Sequence, residues 1–149
     1  MESHRDLLGE PGAEEIRDFL ASELRFATIA TIGADGSPYQ VVVWYVLEGN
    51  EMVINAAEQR VWPANLRRDP RASVLVEDGE RWASVEGSVE LIDDQPIAQA
   101  DAAEGARLYH ADDPEFAEAL IHDRFEHQRR VSIRLPLARS RLVETDGTA

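Results

Sequence analysis

The stretch Asn55-Ala-Ala-Glu-Gln59-Arg60-Val-Trp62-Pro-Ala-Asn65 combines an arginine with a predicted helix start, which makes a reasonable anion site. Pro63 fits the first turn of a short helix from Pro63 to Arg68, because its missing N–H costs nothing there. The start of a helix offers backbone N–H groups with no intrahelical partner. Arg60, just ahead of it, adds a guanidinium that forks onto phosphate or carboxylate. Lysine is absent and all 15 of the Lys-plus-Arg side chains are Arg, so an anion site here must be built from Arg and backbone amides. A compositional bias toward Arg accounts for the same fact without any site.

Other chemistries find little support. His122 and His127 lie five apart on a predicted helix, without the His-Glu-x-x-His spacing of a zinc site, and no metal is expected. There is no Gly-x-Gly-x-x-Gly, no phosphate loop and no Gly-x-Ser-x-Gly. The absence of cysteine excludes disulfides, thiolate metal sites and cysteine nucleophiles. No acid–base pair stands out, so no catalytic residue is assigned. Tyr109 reads either as a donor at a substrate mouth or as a half-buried tyrosine at a helix end.

The elements that must position these residues follow from pattern. Ile16, Phe19, Leu20 and Leu24 recur at helical spacing after Pro11-Gly12, with residues 1–12 expected to be loosely ordered. Arg25 to Ile32 reads as a strand, followed by the hairpin signal Asp35-Gly36. Pro38 to Leu47 contains Val-Val-Val-Trp-Tyr-Val and reads as one strand buried on both faces. Met52–Ala56, Ala72–Glu77 and Trp82–Ile92 read as further strands, which with their short turns predict an antiparallel meander. Ile97 to Tyr109 reads as an Ala-rich helix. A second helix begins at Asp113-Pro114-Glu115 and places Phe116, Leu120 and Ile121 on one face. Val131 to Leu135 alternates as a closing strand. The expected architecture is mainly β with helices (α+β): one domain over residues 1–149, a small antiparallel barrel with helices outside it.

Composition narrows the partners. A formal charge of −14 argues against nucleic acid, whose phosphates attract basic surfaces. The opening Met1-Glu-Ser-His-Arg-Asp-Leu-Leu has no apolar run, and no stretch approaches the roughly 18 apolar residues of a membrane span. A soluble cytoplasmic protein that does not engage membranes is expected.

Asn65-Leu-Arg-Arg-Asp-Pro-Arg-Ala-Ser-Val-Leu-Val76 resembles the helix-to-strand passage of the flavin/deazaflavin oxidoreductases, split-barrel relatives of pyridoxamine-5'-phosphate oxidase. Phe26-Ala-Thr-Ile-Ala-Thr with Asp35-Gly36-Ser37-Pro38 is similar to that family's first hairpin. Val42-Val-Trp44, Val53-Ile-Asn55, Val85-Glu-Gly-Ser-Val-Glu90 and Val131-Ser-Ile-Arg-Leu-Pro136 resemble its later strands, in order, over residues 20 to 140. The resemblance implies an antiparallel split β-barrel of the FMN-binding type, a homodimer, and a cofactor at the dimer interface. The proportions are closest to the branch using the deazaflavin F420, with FMN the alternative. The implied activity is hydride transfer to a small unsaturated substrate. A non-catalytic flavin-binding dimer is the other reading.

By the same resemblance, Arg60 is the expected phosphate ligand, with Gln59, Asn55 and Asn65 around it, while Val43 and Trp44 wall the ring. Trp62 stands where the family commonly has a phosphate-binding lysine. It either replaces that contact by stacking, packs against the partner chain, or is a core residue. Arg67, Arg68 and Arg71 are expected either to meet the anionic tail of F420 or to be an exposed helix face.

Overall fold

The computed structural model describes residues 11–144. Helix α1 (Pro11–Ser22) precedes β1 (Ala27–Ile32), β2 (Pro38–Val43), β3 (Val46–Glu48) and β4 (Glu51–Ala57). Then come α2 (Val61–Arg68), β5 (Arg71–Glu77), β6 (Arg81–Ser88), β7 (Glu90–Ile92), α3 (Gln95–Tyr109) and α4 (Pro114–Asp123). A 3-10 turn at Phe125–His127 leads into β8 (Arg130–Pro136) and β9 (Ser140–Glu144). The fold is mixed α+β. Every strand pair is antiparallel, in a five-stranded sheet ordered β2-β1-β5-β6-β9 and a four-stranded sheet ordered β3-β4-β8-β7.

Several expectations are corrected. Pro11 and Gly12 already belong to α1, since proline is tolerated in a first turn; residues 1–10 lie outside the described residues. Pro38–Leu47 is two strands. The chain turns at Trp44-Tyr45 and passes from one sheet to the other. β2 is an edge strand whose residues alternate between exposed and half-buried as far as Val42, with only Val43 buried, so one face of the strand is uncovered. The expected strand Trp82–Ile92 also divides, because Gly87 (φ +154°) and Ser88 lead β6 into β7 of the other sheet. In place of a single meander, successive hairpins alternate between the sheets. Phe116 is half exposed, while Ala117 and Ile121 turn inward.

The core lies between the sheets. Register pairs Met52 with Leu135, Ile54 with Ile133 and Ala56 with Val131, all buried. Burying each of the larger side chains contributes about 1.5–3 kcal/mol. With a period of two, the intervening pairs Asn55–Ser132 and Ala57–Arg130 face the other way. That face is covered by α3, whose buried Ala98, Ala102 and Ala106 recur every fourth residue and allow close approach.

Candidate functional site

A groove of about 540 Å³ opens where β2, the end of β4, the start of α2 and the approach to β8 converge. Asn55, Gln59, Arg60, Trp62, Val43 and Trp44 all line it. Arg60 is the N-cap residue of α2 (φ −66°, ψ 156°), and no side chain caps that helix. First-turn amides of a helix have no intrahelical acceptor, so Arg60 and these donors sit together. Trp62 is 5% exposed and belongs to the main core while also walling the groove. Asn65 lies outside it: its amide donates to Thr31 Oγ1 (3.1 Å) and accepts from Arg68 (2.8 Å), which ties α2 to β1.

Two further arginines, which sequence reasoning missed, line the groove: Arg124 and Arg130. Arg130 is 7% exposed. Its Nε donates to Asn55 Oδ1 (3.0 Å) and a terminal nitrogen to Gln128 Oε1 (2.6 Å), and the guanidinium lies 4.2 Å from the Phe125 ring centre. No carboxylate pairs with it directly among the described residues. Burial, and then the like charge of Arg60, push its pKa down to about 10. The signal for Arg130 was parity: it shares a strand face with Ser132 and Arg134, and once α3 covers that face an arginine there must be buried.

Arg60, Arg124 and Arg130 thus converge on one groove whose lining contains no Asp or Glu, in a chain with 29 acidic residues. The cluster Arg67, Arg68 and Arg71 is engaged elsewhere. Arg67 pairs with Asp93 and Glu58, Arg71 with Asp69, and Arg68 with Asn65. Those contacts favour their role as a helix face. Tyr109 stacks on Trp44 (5.0 Å, 11°) and its hydroxyl donates to the Arg25 carbonyl (2.6 Å) while accepting from the Tyr45 N–H (3.1 Å). It fixes the corner at Trp44-Tyr45 and holds the Trp44 ring in place. Among the described residues no three His, Asp or Glu side chains are grouped to hold a metal, and no helix is long and apolar enough to cross a membrane.

Residues 13–140 match the family model described as pyridoxamine 5'-phosphate oxidase. Among solved structures, a conserved hypothetical protein of Mycobacterium tuberculosis is 28% identical. The match covers 97% of this chain and 90% of that one, with a TM-score of 0.73. A heme binding protein of Mycobacterium smegmatis is 23% identical over 94% of this chain and 57% of its own, at a TM-score of 0.66. A protein described as an F420 reductase is 18% identical over 83% of this chain and 94% of its own, at a TM-score of 0.57.

Proposed function

The chain belongs to the pyridoxamine 5'-phosphate oxidase family, and from that premise we propose that it is an F420-dependent oxidoreductase acting on a small unsaturated substrate as a homodimer. The observation that carries this reading is the groove with three arginines and no carboxylate. Such a site repels cations and suits a ligand with a phosphate and further negative charge. F420 has a phosphodiester and a carboxylate-bearing tail. FMN, with one phosphate, is the alternative cofactor, and a flavin-binding dimer without turnover the alternative role. Heme, which the Mycobacterium smegmatis protein is described as binding, fits less well: the groove lining holds no histidine, methionine or cysteine, and Tyr39 is its one side chain of an axial-ligand type.

In this reading the two sheets are the halves of a split barrel. Arg60 and the α2 amides hold the phosphate, with Arg130 beside them. Trp44, fixed by Tyr109, walls the ring together with Val43. When bound, the cofactor supplies hydride transfer, from C5 of a deazaflavin or N5 of a flavin. The chain orients the two reactants and keeps water out. Phe26 and Val42 (each 63% exposed) and Val61 (57%) leave the rim apolar and open. A second copy laid on edge strand β2 would close it.

The test is titration of the purified protein with F420 and, separately, FMN, following quenching of cofactor and tryptophan fluorescence. Micromolar or tighter F420 binding with weaker FMN binding supports the reading, and a screen of unsaturated substrates then tests for turnover. Preference for FMN selects the alternative. Binding of neither removes the cofactor role.

A further inference from the structure

Behind Arg130 runs a chain of hydrogen bonds with a single direction. Arg130 Nε donates to Asn55 Oδ1 (3.0 Å), Asn55 Nδ2 donates to Ser132 Oγ (3.1 Å), and Ser132 Oγ donates to Asp101 Oδ2 (2.6 Å). It crosses three elements: β8, β4 and α3. Ser132 is fully buried, and the Asp101 side chain is only 12% exposed, 3.9 Å from Arg134. An ionised carboxylate only accepts, so the one hydroxyl hydrogen of Ser132 is committed to Asp101. Its lone pairs are then left for Asn55, which must present N–H there. The same amide nitrogen also donates to the Ala98 carbonyl (2.8 Å). Both N–H groups of Asn55 are thereby used, and only Oδ1 can face Arg130.

We infer that Asp101 is a positioning residue for the anion site, orienting the Arg130 guanidinium through Ser132 and Asn55 without touching it. A carboxylate in direct contact would occupy the donor fork that a ligand anion needs. Placed behind two neutral groups, Asp101 fixes the direction of the hydrogen-bond chain and leaves that fork to the groove. This inference rests on the anion-binding reading of the groove and assigns it a supporting acid outside the groove's lining.

The test compares FMN with riboflavin, and F420 with its phosphate-free deazaflavin core, measuring the ratio of dissociation constants within each pair. General loosening of the fold weakens both members alike and leaves the ratio unchanged. The expected result is that Asp101→Leu lowers the preference for the phosphate-bearing member roughly tenfold, the scale of one charge-assisted contact. Asp101→Asn, which keeps an acceptor for Ser132, retains most of the preference. On an Arg130→Gln background, which has already lost Arg130's share of the preference, Asp101→Leu adds nothing further. Ser132→Ala acts at a second link of the same chain and serves if Asp101→Leu does not fold. A preference that falls with Arg130→Gln but survives both Asp101→Leu and Ser132→Ala overturns the positioning role and leaves the anion site standing. Failure of the unmodified protein to bind FMN or F420 overturns both.

Discussion

Arg130 and Arg60 carry like charges into one groove, and Arg130 does so from a buried position that lowers its pKa to about 10. Arg130 is therefore held at a cost that an anion between the two would relieve. Removing one charge-assisted contact to phosphate costs about 1.5–3 kcal/mol. Arg60→Ala should accordingly weaken cofactor binding more than tenfold in the fluorescence titration while leaving the melting temperature nearly unchanged, since Arg60 is exposed. An unaltered dissociation constant would take Arg60 out of the site. Trp62 should behave in the opposite way. It is 5% exposed within the main core, and truncating such a side chain typically costs about 3–5 kcal/mol. Trp62→Ala should lose stability on that scale in a denaturant melt. A loss below about 0.5 kcal/mol, as at ordinary surface positions, would show that its packing contributes nothing.

At the scale of elements, turn and helix signals were legible because they are local. Asp113 accepts from the Phe116 N–H, as an N-cap should, and Asp35 bonds the backbone of its own turn, whereas Asp94 caps α3 two residues ahead of its expected start. The short helix after Arg60 was legible for the same reason, although it begins at Val61 and not at Pro63. What the sequence could not display was which sheet a strand joins. The corners at Trp44-Tyr45 and Gly87–Val89 depend on tertiary packing, and the apolar run of β2 looks alike whether it is buried or uncovered. Arg130 was hidden with them, since its burial depends on α3 covering β8. Other local contacts of carboxylates set the acid limb of stability. Hydrogen bonds from Arg71 hold the Asp69 pKa down to about 2, and Asp35, Asp78, Asp93 and Glu118 also lie below their ordinary values. A depressed carboxylate contributes stability above its unfolded pKa, about 4, and loses it as pH falls through the folded value. The melting temperature should be flat near neutrality and fall below about pH 4, with a shallower fall in Asp69→Asn. An acid limb identical in that variant would mean the Asp69–Arg71 contact adds nothing to the fold.

For the whole molecule the relevant fact is a charge of −14 on a chain that places its three groove arginines beside an apolar rim. Two copies meeting at that rim would each bring −14 toward the other, so long-range repulsion opposes the association that Phe26, Val42 and Val61 favour. Salt screens that repulsion within about 8–10 Å near physiological ionic strength, whereas at 0.01 M it reaches about 30 Å. The apolar contribution barely changes across that range. The proposed dimer should therefore tighten as salt is raised, which light scattering at low and physiological ionic strength will measure. Val42 projects from the edge strand at 63% exposure, so Val42→Asp should be tolerated by the monomer fold. In the dimer it would set a new carboxylate against an apolar face and shift the population toward monomer. If the second copy completes the cofactor site, the same variant should also bind F420 or FMN more weakly, with the two losses following the same protein-concentration dependence. A native protein that stays monomeric at micromolar concentration and still binds cofactor fully would show that a single chain makes the whole site.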